Sequence, residues 1–260
     1  DGDISSSPYG APTETYSALG LSGYEESFKD EFQTDQGWTV DAGALAGNWV
    51  RTIPGEGGDR CDAGSDSDGS GYCYVTGNSG DEDVDDGSTV LTSPQMDASD
   101  PEAVLELDFW YSNGTSCGGA DAQNDVFVME ISDDAGATWQ PLETVGPTGS
   151  EVDGGWNSRA WQVSAIGGID QANPIQVRFT CGDLNEGSIV EAAVDNVRIG
   201  YYYCNDELCP GDLNNDGSIN VNDILIMIGA WETPGGDVNG DGTTNVNDVL
   251  YILGIFGEEC

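Results

Sequence analysis

The sequence predicts a mainly β protein: a two-sheet β-sandwich of the jelly-roll kind, followed by a small helical C-terminal module. Three observations carry this. Between residues 25 and 203 the chain breaks into eleven short apolar or alternating segments, such as Val104-Leu105-Glu106-Leu107-Asp108-Phe109 and Gln176-Val177-Arg178-Phe179, the period-2 signature of half-buried strands. Thirty-eight glycines and 10 prolines punctuate them, as many short strands with tight turns require. Finally, residues 212–231 recur as 237–256. The expected division is a tail at 1–24, a sandwich at 25–203 and a duplicated module at 204–260.

Strands are expected at 27–33, 37–41, 48–53, 72–77, 88–95, 102–112, 124–132, 137–144, 158–165, 174–181 and 188–201. Within them, Ser132-Asp133-Asp134-Ala135-Gly136-Ala137-Thr138-Trp139 fits an Asp-box, a hairpin device in which side-chain oxygens satisfy turn amides while Trp packs beneath. A single copy is read as structural.

Charge narrows the function. Six Lys and Arg stand against 48 Asp and Glu, giving −42 with no histidine. So acidic a chain repels nucleic acid and anionic membrane surfaces, and no apolar run reaches membrane-spanning length. Its natural partners are cations. Without histidine there is no His-based triad and little support for zinc; Lys29 is the only lysine, and no G-x-S-x-G elbow or phosphate loop is present. The chain reads as non-catalytic.

The repeat supplies the chemistry. Asp212, Asn214, Asp216, Gly217, Asn220 and Asp223 become Asp237, Asn239, Asp241, Gly242, Asn245 and Asp248 in the second copy. Calcium takes roughly six to eight oxygens, and a loop of about twelve residues supplies them from positions 1, 3, 5, 7, 9 and 12. Position 7, Ser218 or Thr243, gives its backbone carbonyl; Asn220 and Asn245 at position 9 act through water; glycine at position 6 allows the sharp turn. Val221, Ile224, Leu225, Ile228 and Trp231 map onto Val246, Val249, Leu250, Leu253 and Phe256. That spacing describes one helical face, and the two stripes are expected to bury against each other.

Proline and glycine precede both loops, where an EF-hand would have a helix, and position 12 is Asp. In these respects residues 209–260 resemble the type I dockerin family. The resemblance implies a module folded by two calcium ions that docks to a cohesin-type protein or to another domain of the same assembly; the partners expected here are other copies of this chain or a cohesin-like protein. In that family partner choice lies at loop positions 10 and 11 and late in the helix. Here those places hold Val221–Asn222 and Val246–Asn247, then Gly229–Ala230 and Gly254–Ile255. The late positions are small or apolar, which points to a hydrophobic docking face.

The strings Phe32-Gln33-Thr34-Asp35-Gln36-Gly37-Trp38, Thr89-Val90-Leu91-Thr92-Ser93-Pro94 and Ala193-Val194-Asp195-Asn196-Val197-Arg198 resemble concanavalin-like or MAM-like jelly rolls of secreted bacterial proteins. Two acidic loops, 62–68 and 81–86, are candidates for further metal. Jelly rolls often hold calcium between loop carboxylates and the first and last strands, which suggests Asp30, Asp83, Asp85 and Asp195. Trp110, Tyr111, Trp156 and Trp161 are candidate glycan platforms.

Seven cysteines without a CxxC pair are read as disulfides of an oxidising compartment. The expected pairs are Cys61–Cys73, Cys117–Cys181 and Cys209–Cys260, leaving Cys204; a Cys204–Cys209 bond is the alternative for the last. Opening at Asp1, the chain reads as a processed mature form or a trimmed piece. The expectation is a secreted or cell-surface structural subunit of an extracellular assembly, with a carbohydrate-binding or adhesion module as the alternative.

Overall fold

A computed structural model describes residues 23–55, 60–80, 82–119, 121–184, 187–203, 209–214 and 216–258. The expected 1–24 tail, Cys204 and Cys260 fall outside this set, apart from residues 23 and 24. Two compact units are present, one spanning Tyr24–Tyr202 and one containing residues 209–258.

The first unit is a sandwich of two antiparallel sheets. Its strands are β1 (Gly23–Asp30), β2 (Thr39–Ala42), β3 (Trp49–Thr52), β4 (Cys73–Thr76), β5 (Gly87–Thr92), β6 (Val104–Ser112), β7 (Phe127–Ser132), β8 (Gln140–Val145), β9 (Asp153–Gln162), β10 (Gln176–Asp183) and β11 (Glu191–Tyr203). One sheet runs β3-β4-β11-β6-β9, with β1 also on β11; the other runs β2-β5-β10-β7-β8. Alternation dictates the core. Leu105, Leu107, Phe109 and Tyr111 on β6 meet Phe127, Met129 and Ile131 on β7 and Val177 and Phe179 on β10, all essentially inaccessible. An aromatic run joins the layers: Tyr111 stacks on Phe127 at 5.8 Å, Phe127 on Phe179 at 6.1 Å, and Phe179 on Trp38 at 6.2 Å. Each such side chain contributes about 2–3 kcal/mol by leaving water.

The Asp-box works as read. Ser132 Oγ accepts from the Gly136 amide (3.0 Å), Asp134 Oδ1 accepts from the Thr138 amide (2.8 Å), and Trp139 Nε1 donates to the Gly136 carbonyl (3.1 Å). Donors from Thr138 and Ser132 hold the Asp134 carboxyl down at about 2.

The cysteine pairing differs from expectation. Cys61 bonds Cys117, 56 residues away, rather than Cys73, while Cys73 and Cys181 are free and buried. Cys73 sits on β4 and Cys181 on β10 with side chains in the core, so neither reaches the partner that loop proximity suggested. Cys209 is disulfide-bonded, and its partner lies outside the described residues. In the chain-entropy view, closing the 56-residue loop contributes about 4 kcal/mol. The Cys61→Ser, Cys117→Ser double variant should therefore unfold at clearly lower urea; an unchanged midpoint would show that the bond is dispensable.

All six basic side chains are engaged within the chain. Arg159 pairs with Glu143 and Glu151, Arg178 with Glu130, Arg198 with Glu106, Lys29 with Glu31 and Arg60 with Asp83. Arg51 donates to the Phe32 carbonyl (2.8 Å) and lies over Tyr72.

The second unit consists of two loop–helix segments, with helices α1 (Val221–Gly229) and α2 (Val246–Gly254). Asn220 and Asn245 cap them, and Asp223 and Asp248 complete reciprocal capping boxes. The apolar stripes do not lie where their spacing suggested. The small core is Ile219, Met227, Val238 and Ile252, with Leu213, Ile224, Val249 and Ile255 packed on it. Val221, Leu225, Ile228 and Trp231 are exposed, as are Val246, Leu250, Leu253 and Phe256. Only Ile224 and Val249 of the predicted stripes turn inward. The buried positions on each helix are an Asp and one apolar residue, Asp223 with Met227 and Asp248 with Ile252, and none of these belongs to the predicted stripes.

Candidate metal centres

Each loop of the second unit is wound around its own acids. Asp212 accepts from the amides of Asp216 (Oδ1, 3.1 Å) and Gly217 (Oδ2, 2.8 Å). Asp237 does the same for Asp241 (3.0 Å) and Gly242 (2.6 Å). Asn214 and Asn239 Oδ1 each take the amide two residues on, at 2.9 Å. The turn glycines Gly217 and Gly242 have φ of +84° and +94°, conformations a Cβ would strain. Asn220 and Asn245 Nδ2 donate to the carbonyls of Ser218 (3.0 Å) and Thr243 (2.8 Å).

The Asp expected as the last ligand is the most firmly held. Asp223 is fully buried and accepts from the amides of Leu213 (2.9 Å), Asn214 (3.2 Å) and Asn220 (2.9 Å). Asp248 likewise accepts from Val238 (3.1 Å), Asn239 (3.1 Å) and Asn245 (2.7 Å). Burial pushes the Asp248 carboxyl up, but these amides outweigh it and hold it below its ordinary value. Oδ1 of Asp223 and of Asp248 each take two of these amides and Oδ2 takes one, which leaves a lone pair on each Oδ2 for another partner.

Asp237, Asp241 and Asp248 each bring one carboxylate oxygen within 4.8 Å of the others. No Lys or Arg follows Arg198 in the sequence, so no side-chain cation is at hand in this unit to offset them. An all-oxygen set of this kind fits a hard divalent ion such as calcium.

In the sandwich the four expected ligands do not converge. Asp30 is spent on its own turn, Oδ1 accepting from the Phe32 amide (2.7 Å) and Oδ2 from Trp38 Nε1 (2.8 Å). Asp83 is buried against Arg60, and Asp85 is exposed, its backbone bridged to Ala46. Asp195, fully buried on β11, gathers instead with Asp66 and Asp68, one oxygen of each within 4.8 Å of the others. Between them Ser67 donates its amide to Asp195 (2.8 Å) and its hydroxyl to Asp108 (2.7 Å). Burial raises the Asp195 carboxyl to about 7 against the donors of Ser67 and Asn196. Acid density had marked the 62–68 loop, but its meeting with β11 depends on a long-range contact that spacing does not encode.

That loop also decides the role of the tryptophans. Trp110 Nε1 donates to the Cys61 carbonyl and Trp156 Nε1 to the Ser65 carbonyl, both at 2.9 Å. Tyr111 is core, and Trp161 is half-buried against it. The Trp110 and Trp156 indoles hold the 61–65 loop to the sheet.

No family model and no curated protein matches the chain. Among solved structures, it is similar to the K3 cleaved adhesin domain of Lys-gingipain from Porphyromonas gingivalis W83, at 14% identity and a TM-score of 0.41, over 68% of this chain and 99% of that one. The K1 domain of the same protein gives 12% identity and 0.42, over 66% and 96%. The family 11 carbohydrate-binding module of Clostridium thermocellum, in complex with a mixed-linked tetrasaccharide, gives 14% and 0.37, over 65% and 92%. Among the described residues no helix is long and apolar enough to cross a membrane.

Proposed function

We propose that this chain is a non-catalytic, secreted, calcium-binding structural protein, joined to an extracellular assembly through a dockerin-like C-terminal module. One observation carries the reading. The second unit turns outward two matching apolar rows, Val221, Leu225 and Ile228, and Val246, Leu250 and Leu253, each more than half exposed. They ride on helices whose first turns are fixed by the calcium-type loops. Exposed apolar patches of this kind mark interaction sites, and a face present twice suits docking.

Calcium has two tasks here: it neutralises the converging Asp groups and it fixes the helices that carry the rows. The docked surface is an apolar one, on another copy of this chain or on a cohesin-type protein. The formed Cys61–Cys117 bond supports secretion into an oxidising space.

Leu225→Asp with Leu250→Asp places a charge in each row without touching a loop. In millimolar calcium the parent chain should associate by light scattering as concentration rises, and the double variant should stay monomeric with an unchanged helical signal. A parent that stays monomeric at every concentration removes self-assembly from this reading.

A further inference from the structure

Asparagine followed by glycine occurs twice in the chain, at Asn113–Gly114 and Asn239–Gly240. Such a pair is chemically labile, because glycine leaves its backbone nitrogen unshielded and free to swing onto the side-chain carbonyl carbon of the asparagine. The two pairs sit in opposite surroundings. Asn113 is fully buried just after β6; its Oδ1 accepts from the amides of Asn124 and Asp125 (both 3.1 Å), and its Nδ2 donates to the Ile189 carbonyl (3.2 Å). Buried Gly114 has Asp153 and the Val152 carbonyl packed against it. That pair is locked. Asn239 is only half-buried in the second loop of the C-terminal unit, and Gly240 is exposed at φ of +78° with open space where a Cβ would lie.

Hydrogen bonds of the loop itself restrain the exposed pair. The Gly240 amide donates to Asp237 Oδ1, and Asn239 Oδ1 accepts from the Asp241 amide, both at 2.9 Å. These bonds last only while the loop stays wound around Asp237, Asp241 and Asp248, whose oxygens repel one another. Once it loosens, the Gly240 nitrogen is released beside the Asn239 side chain. The first loop differs at this point: Asn214 is followed by Asn215, whose side chain hinders the same approach.

We infer that Asn239 is a self-modification site, deamidated by its own backbone whenever the second loop opens. The Gly240 nitrogen gives its proton to solvent hydroxide and bonds to Asn239 Cγ; the side-chain nitrogen takes up a proton and leaves as ammonia, closing a cyclic imide. Water then adds to one of the two imide carbonyls, giving aspartate or isoaspartate at 239. No oxidant takes part. Aspartate adds a negative charge beside Asp237, Asp241 and Asp248. Isoaspartate lengthens the main chain by a carbon, so the amides of Gly240, Asp241 and Gly242 lose their register on Asp237. The second half of the module thus keeps a one-way record of time spent open. That calcium is what closes the loop rests on the reading above; the site itself does not.

The test incubates the full chain at mildly alkaline pH in calcium, in chelator and in urea, and maps its peptides by mass spectrometry, where an amide turned acid changes the mass and isoaspartate elutes apart. Asp237→Ala, which removes the acceptor of the Gly240 amide, is treated in the same way. The Asn239 peptide should convert several-fold faster in chelator, and in Asp237→Ala with calcium present, than in the parent with calcium. Asn113 should stay intact in every folded sample and convert in urea. If Asp237→Ala leaves the loop unfolded, the freed pair reads out identically. Asn239 still intact in both chelator and Asp237→Ala when the urea sample has converted would overturn the site, as would Asn113 converting alongside it in the folded chain. Conversion that is fast in Asp237→Ala but equal in the parent with and without calcium keeps the site and counts instead against calcium as what closes the loop.

Discussion

Replacing Asp248 by Ala is expected to unfold the second half of the C-terminal unit even in calcium. Its carboxylate is fully buried and is the acceptor for the amides of Val238, Asn239 and Asn245. A buried amide left without an acceptor costs about 1–3 kcal/mol, so losing all three removes on the order of 3 kcal/mol or more. A unit whose core, among the described residues, is four buried apolar side chains has little stability to spare. Asp223→Ala should do the same to the first half through Leu213, Asn214 and Asn220. Asp248→Asn keeps one acceptor oxygen and should retain part of the fold. Far-UV circular dichroism reads the helices, and hydrogen exchange at the three amides locates the damage. Full helical signal in both alanine variants would mean that these carboxylates do not organise the loops.

Calcium removal should have the second large effect. The Asp237, Asp241 and Asp248 oxygens within 4.8 Å of one another repel when no ion lies among them. At free calcium 100-fold above its dissociation constant, each occupied site stabilises the folded unit by about 2.7 kcal/mol, so two sites give about 5 kcal/mol. Calorimetry should show a transition of the second unit that moves to much lower temperature in chelator, while sandwich unfolding persists as a separate transition. Asp216→Ala with Asp241→Ala should mimic chelation. Superimposable traces with and without calcium would defeat the calcium reading.

Much of this was legible in the sequence because the signals are local. Alternation in β6 and β10 and the turn glycines placed all eleven strands, and the Asp-box announced its hairpin. The shortfalls have physical causes. The ninth strand was expected from residue 158 but begins at Asp153, because Gly154-Gly155 reads as a turn although both sit in the strand at φ of +81° and +114°. The first strand ends at Asp30, where the Asp30 carboxylate takes the Phe32 amide and Phe32 turns to positive φ. Helical periodicity located the apolar stripes but not which side faces inward: the Asn-x-x-Asp capping boxes, present in the sequence as Asn220–Asp223 and Asn245–Asp248, were the clue to that. Disulfide partners and the meeting of Asp195 with Asp66 and Asp68 are contacts between distant segments. Spacing alone carries no information about them.

The internal use of all six basic side chains has a consequence for bulk behaviour. With every fixed positive charge matched at home, the excess of 42 negative charges is balanced by mobile counterions held near the surface. Where many copies are crowded together, those counterions carry an osmotic pressure that draws in water and swells the material. Exchanging two sodium ions for one calcium halves the number of particles and relaxes that pressure. A packed layer of this protein should therefore contract or swell with the ratio of calcium to sodium around it, apart from any change in the fold of a single chain.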